Sequence, residues 1–119
     1  MMELDQIAEV TRRYSAEDMA LFAGLAGIDA PDSVPEPLIA ALFSYLLGVH
    51  LPGPGTNYLK QELQFRAPAP LGVDLTAQVK ITRLRPEKHL VDLWACCTTP
   101  DGTVLCEGRS LVKAKDVRG

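Results

Sequence analysis

The sequence has no surplus of basic charge: 12 Lys and Arg stand against 15 Asp and Glu, for a net charge of −3 and a pI near 5.3. Contacts to nucleic-acid or lipid phosphates need Lys and Arg gathered on one face. Here they are scattered, which excludes nucleic acid and an anionic membrane surface as partners. Cysteine is scarce and odd in number. Cys96, Cys97 and Cys106 have no metal-ligand spacing and imply neither a disulfide framework nor a thiolate metal centre. Neighbours on a strand point to opposite faces, so Cys96 and Cys97 read as small, reduced filling residues rather than as a reactive pair. The only histidines, His50 and His89, read as surface or interface residues rather than bases. The apolar stretch at residues 38–51 is too short to cross a bilayer, and no apolar segment follows a basic start. The expectation is a soluble, cytoplasmic protein with no cofactor and no metal, folded as one domain over residues 1–119.

What the chain does have is a concentrated apolar helix. From Leu38 to Leu47 the only polar groups are the Ser44 hydroxyl and the Tyr45 phenol. A helix apolar on nearly every side cannot lie on a surface, so something must wrap it. If Leu38, Ile39, Leu42, Phe43, Leu46 and Leu47 are all buried, each contributes about 1.5–3 kcal/mol of transfer free energy, which makes this helix the main source of core. Pro35 and Pro37 sit where the helix should begin, in the turn that tolerates a missing N–H, and Glu36 suits the positive end of its dipole. Gly48 and the rigid Leu51-Pro52-Gly53-Pro54-Gly55 turn should end it.

Around this helix the pattern falls into two halves. A short apolar segment near Ile7 and Val10 reads as an edge strand or an extended lead-in. Ser15 followed by Asp18 resembles a capping box, and Met19, Leu21, Phe22 and Leu25 continue at helical spacing, which predicts a first helix over residues 16–26 stopped by Gly27. Residues 28–34 read as a loop. Beyond Asn57 the period becomes two, and strands are expected over residues 58–65, 74–84, 89–99 and 104–113, separated by proline, glycine and Asp-Gly turns. Short connections between successive strands predict an antiparallel meander. The fold class is therefore α+β, with an antiparallel sheet wrapped around a long central apolar helix.

The residues from Leu42 through Gly48, then Leu51-Pro52-Gly53-Pro54-Gly55-Thr56, Tyr58-Leu59, Gln61, Phe65 and Gly72 resemble the MaoC-like dehydratase family, whose best-known members are (R)-specific enoyl-CoA hydratases. The resemblance covers most of the chain, from Tyr14 to Lys113. It implies a hot-dog fold, usually a homodimer, with acyl-CoA or acyl carrier protein thioesters bound at the interface. It also implies water added across a trans-2 double bond. In the family an Asp and a His activate that water, while N–H groups at the head of the central helix stabilise the developing enolate.

At the catalytic stretch the sequence departs from the family. Aligned on Pro31, Ile28 stands at the Asp position, Ala30 at an Asn position and Ser33 at the His position, while Glu36-Pro37 replaces a His-Gly pair. Isoleucine cannot deprotonate water, and Pro37 removes a backbone donor. The candidate catalytic residues are then Asp29, after a one-residue slip of the loop, and Glu36, each weighed against a solvated turn former and a dipole-complementing acid. Ser44, Pro37, Leu38 and Leu47 are the candidate substrate-binding residues; Ser44 is equally a small residue permitting close packing. Asp92 and Trp94 share one strand face and suggest a half-exposed or dimer-contact surface. Three functions remain in view: an acyl-thioester-binding hydratase relative with altered catalysis, a thioesterase using Glu36 or Asp29, and a non-catalytic acyl-binding or subunit-pairing module. The partner is another copy or a paralogue with an intact catalytic pair.

Overall fold

The structure, a computed structural model, describes residues 2–27, 29 and 31–114, apart from the Tyr58 side chain. Ile28 and Ala30, two of the positions aligned with the family's catalytic stretch, lie outside the described residues. The chain runs through β1 (Ile7–Arg13), α1 (Ala16–Ala26), α2 (Glu36–Tyr45), β2 (Asn57–Phe65), β3 (Asp74–Arg85), β4 (Leu90–Thr98) and β5 (Val104–Lys113). The segment near Ile7 is thus a strand. It lies at one edge of a single five-stranded antiparallel sheet ordered β1-β3-β4-β5-β2.

That order corrects the expected meander. β3, β4 and β5 follow one another as neighbours, but β2 pairs with β5 at the far edge instead of with β3. The β2–β3 connection is long enough to cross beneath the sheet, and it is pinned on the way by an isolated bridge between Val34 and Ala69. Leu75, Ala77, Val79 and Ile81 of β3, Val91, Leu93, Ala95 and Cys97 of β4, and Cys106 and Val112 of β5 form a buried inner face. α2 lies on that face, contributing Ile39, Leu42 and Phe43, with Leu46 and Leu47 from the turn that follows. Five of the six expected core residues are buried, and Leu38 is partly so.

The sheet does not wrap the helix completely. Ala41, Ser44 and Gly48 are exposed, and so are Tyr45 at 39% and Val49 at 51%. Beside this flank, Leu59 of β2 is 54% exposed. The cause is geometric: α2 and the turn after it sit over β3 and β1, which leaves the inner face of β2 without a helix over it.

Two local details also differ from expectation. The helix does not end at Gly48; α2 passes at Tyr45 into a π-helical turn, Leu46–His50, closed where the Leu51 N–H donates to the Leu46 carbonyl at 2.8 Å. Gly53 and Gly55 then take φ of 98° and 88°, the left-handed region open to glycine. At α1 the capping box is present, with the Asp18 N–H on Ser15 Oγ at 3.1 Å and the Ser15 N–H on Asp18 Oδ2 at 2.8 Å. Gly27 stops the helix at φ 70°.

Candidate functional site

The head of α2 opens into a cavity of about 420 Å³. Ser33, Val34, Pro35, Glu36 and Ile39 form the helix side; Phe65 to Ala69 form the wall that leaves β2; Leu105 and Cys106 of β5 complete the lining. Sequence order alone separates these three segments. They meet because β2 crosses to the β5 edge and because the Val34 N–H donates to the Ala69 carbonyl at 2.9 Å, fixing the loop before the helix against the segment after β2.

Polar groups in the cavity are few. Pro35 and Pro37 carry no N–H, and the Leu38 and Ile39 N–H groups both donate to the Pro35 carbonyl, at 3.0 and 3.4 Å. Among the described residues this leaves the Glu36 N–H as the uncommitted backbone donor of the first turn. Arg66 is held at the rim by Glu107 Oε1 at 2.7 Å and Gln64 Oε1 at 3.1 Å. On the floor, burial pushes the Cys106 thiol up to about 11, and the charges of Cys96, Glu36 and Glu107 add to the effect. Cys106 is therefore a neutral, space-filling thiol at physiological pH, not a nucleophile. The cavity pairs one carboxylate, Glu36, and one hydroxyl, Ser33, with an apolar interior of Ile39, Phe65 and Cys106.

The candidate residues are not all brought together. Glu36 and Ser33 line the cavity, whereas Asp29 is exposed and does not. Pro37 is exposed and is not part of the lining, and Leu38 packs partly buried against the core. Ser44 lies two turns further along, on the uncovered flank of α2, and Leu47 is fully buried. No histidine lines the cavity: His50 Nε2 meets Tyr45 Oη at 3.3 Å, and His89 closes the turn into β4 with φ 57°. Asp92 is 6% exposed on the outer sheet face, 2.7 Å from Arg85 and 3.5 Å from Arg109, so it is a structural ion pair beside the half-exposed Trp94. Phe65, Arg66 and Cys106 were not legible as site residues, because their role depends on β2 lying beside β5. No cluster of three metal-ligating side chains occurs among the described residues, and no helix is long and apolar enough to cross a membrane.

A larger hollow of about 620 Å³ lies on the outer face between Gln61, Trp94 and Arg109. It is more open than the cavity at α2, and Glu62, Glu107 and Arg109 place charges of both signs around Trp94 and Leu63. The cavity at α2 is the better place for an uncharged, polarisable group.

No protein-family model matches the chain. The (R)-specific enoyl-CoA hydratase of Aeromonas caviae is 34% identical over 127 aligned positions, covering 94% of this chain and 95% of that protein. The enzyme of the same name from Rhodospirillum rubrum is 37% identical over 122 positions, covering 90% and 84%. The solved structure of the A. caviae (R)-hydratase superposes with a TM-score of 0.85 at 33% identity, over 96% of this chain and 98% of that one. With helix, turn and sheet shared over nearly the full length of both chains, this hot-dog protein belongs to the (R)-specific enoyl-CoA hydratase family.

Proposed function

We propose that the protein binds an acyl thioester, of CoA or of acyl carrier protein, with the acyl group in the cavity at the head of α2. One observation carries this reading: the cavity combines an apolar interior with a backbone N–H and a single carboxylate at its mouth. The Glu36 N–H faces the thioester carbonyl, where a donor at the positive end of a helix stabilises negative charge developing on oxygen. The Asp and His of the family's water-activating pair are replaced by Ile28 and Ser33. Glu36 is then the group left to take a proton from water attacking C3 of an enoyl thioester and to return it at C2.

The test is hydration of crotonyl-CoA and longer enoyl-CoAs at high protein concentration, alongside calorimetric titration with the same thioesters. Binding accompanied by turnover that disappears in Glu36→Gln supports the reading. Binding without turnover reduces the protein to a non-catalytic acyl-binding module, and absence of binding refutes the proposal. The carboxylate in the cavity, without a histidine beside it, also favours a second reading, in which Glu36 directs water to the thioester carbonyl carbon. Release of free CoA from saturated acyl-CoAs, lost in Glu36→Gln, would establish that hydrolysis. We place the working unit at a soluble, cytoplasmic homodimer of one-domain chains, covering the open flank of α2.

A further inference from the structure

The Lys and Arg residues stand apart in the sequence, but the register of the sheet brings half of the 12 together. Pairing across β3, β4, β5 and β2 lays out three rows on the outer face, alternating with Val91, Leu93 and Val112 of the buried inner face. Arg85, Leu90 and Lys113 form the first row, Arg83, Asp92, Leu111 and Lys60 the second, and Trp94, Arg109 and Glu62 the third. Lys88 adds a cation in the turn that joins β3 to β4. Arg85 is half-buried and the other five cations are exposed.

The carboxylates on this face are already engaged. Asp92 lies below the surface, 2.7 Å from Arg85 and 3.5 Å from Arg109, so one guanidinium charge is left over. Glu62 is held by Lys60 at 2.8 Å. Arg83, Lys88 and Lys113 form no ion pair among the described residues, and Glu87 in the turn offsets one of them. A chain of net charge −3 thus carries a local surplus of positive charge. Apolar side chains lie among the cations. Leu90 and Leu111 are half-buried, Trp94 is 36% exposed, and the hollow of about 620 Å³ opens beside Trp94 and Leu63.

Arg and Lys around Trp and Leu is the composition of a protein interface, where Trp and Arg supply most of the binding energy. Four strands about 4.8 Å apart and three rows about 6.7 Å apart span about 14 Å each way, a length covered by an α-helix of about nine residues. A nucleic acid or a membrane would extend past so small an area onto a surface of net negative charge, which repels a polyanion. We propose that this outer face docks an acidic helix of a partner protein, with carboxylates on Arg83, Arg109 and Lys113 and one apolar side chain in the hollow beside Trp94. The docking is independent of the acyl-thioester reading, since the cavity lies at the other end of β5, at Leu105 and Cys106.

Trp94 is the only tryptophan, so its fluorescence reports binding at this face. The probe is a helical peptide of about 14 residues that lacks Trp and carries Leu along one stripe with Glu on both flanks. It should shift Trp94 emission with a Kd below about 100 μM at low ionic strength, and its affinity should fall about tenfold or more when the Glu residues become Gln. Arg83→Glu and Lys113→Glu should each weaken binding about fivefold, and together about twentyfold or more. Arg12→Glu changes the net charge equally but lies on β1, outside the three rows; it should change the affinity less than about twofold. Circular dichroism confirms that each variant is folded. Absence of peptide binding overturns the proposal, as does binding that leaves Trp94 emission unmoved. Equal affinity for the Glu and Gln peptides overturns it, and so does equal weakening by Arg12→Glu. Tighter binding of a short DNA duplex or of phosphatidylserine vesicles than of the peptide would also overturn it, making the partner a nucleic acid or a lipid surface.

Discussion

Gly108→Ala should damage the protein severely, and the reason is visible in the strand spacing. A Cβ at Gly108 would lie 1.8 Å from the Glu62 carbonyl oxygen, 2.8 Å from the Glu62 carbonyl carbon and 2.9 Å from the Leu63 Cα. All three are backbone atoms of β2, so no side chain can rotate away. An ordinary carbon-to-carbonyl contact is about 3.3 Å or longer, so the strands must separate locally by about 1.5 Å. That stretches the ladder where Leu63 faces Gly108. Losing one or two β2–β5 hydrogen bonds, with the strain of overpacking, costs about 3 kcal/mol. For a chain of this size that lowers Tm by about 10 °C. Thermal unfolding by circular dichroism gives the shift, and hydrogen exchange should show the lost protection concentrated in β2. The paired control is Gly24→Ala in α1, where the added Cβ meets nothing within 4 Å; it should stabilise by about 0.5–1 kcal/mol. A Gly108→Ala protein melting within about 2 °C of wild type would refute the close approach of β2 to β5.

Ser15→Ala removes the acceptor of the Asp18 N–H and should cost about 1 kcal/mol, read in urea unfolding with faster amide exchange over the first turn of α1. Asp92→Asn should cost about 2 kcal/mol, since it leaves Arg85 facing a neutral amide in a mostly buried position where its Nε already has no partner; equilibrium unfolding in urea measures it. Burial, followed by the neighbouring thiols, pushes Cys97 up to about 12, above the ordinary value of 9.0. The folded state therefore holds that proton after the unfolded chain has released it. Stability is unaffected below pH 9 and falls by up to about 1.4 kcal/mol per pH unit between pH 9 and the folded value, which a pH series of urea midpoints would show. For the same reason Cys97 and Cys106 should resist iodoacetamide at pH 8 in the native protein and react fully once it is unfolded, as peptide mass spectrometry would record.

The parts of this structure legible in the sequence are those written as local pattern. Ser15 and Asp18 announce a capping box that forms, and the alternation over Leu75, Ala77, Val79 and Ile81 announces the inner face of β3. The ends of β5 fall where expected. What local pattern does not encode is which strand lies beside which. β2 and β3 are neighbours in sequence, and nothing in either states that a crossing segment will carry β2 to the β5 edge. The cavity depends on that choice, so Phe65, Arg66 and Cys106 become site residues only once the topology is known. The bulge between Tyr58 and Lys60 and the π-helical turn are hidden for a similar reason, since both are accommodations to packing partners distant in sequence. The place of Glu36 in the first turn of α2 was legible, because Pro35 and Pro37 on either side mark where the helix begins.

The packing of this chain also explains why such a scaffold tolerates change in the loop ahead of α2. The buried face of β3, β4 and β5 and the helix residues Ile39, Leu42, Phe43, Leu46 and Leu47 form a core that includes none of Asp29, Asp32 or Ser33. Ser33 is only partly buried and Asp29 is exposed, so neither position carries a core contact whose loss would create a cavity. Substitutions there alter chemistry at little cost in folding free energy, whereas the same freedom is absent at Gly108 or Phe43. The fold therefore constrains the body and exit of α2 strongly and its head weakly. It follows that Ser33→His, at a partly buried position outside the core, should leave Tm within about 3 °C of wild type. If hydration of enoyl-CoA then rises well above that of the parent, the cavity at the head of α2 is the site where that chemistry belongs. If it does not, while the fold is intact, the segment ahead of α2 does not position that side chain over the thioester.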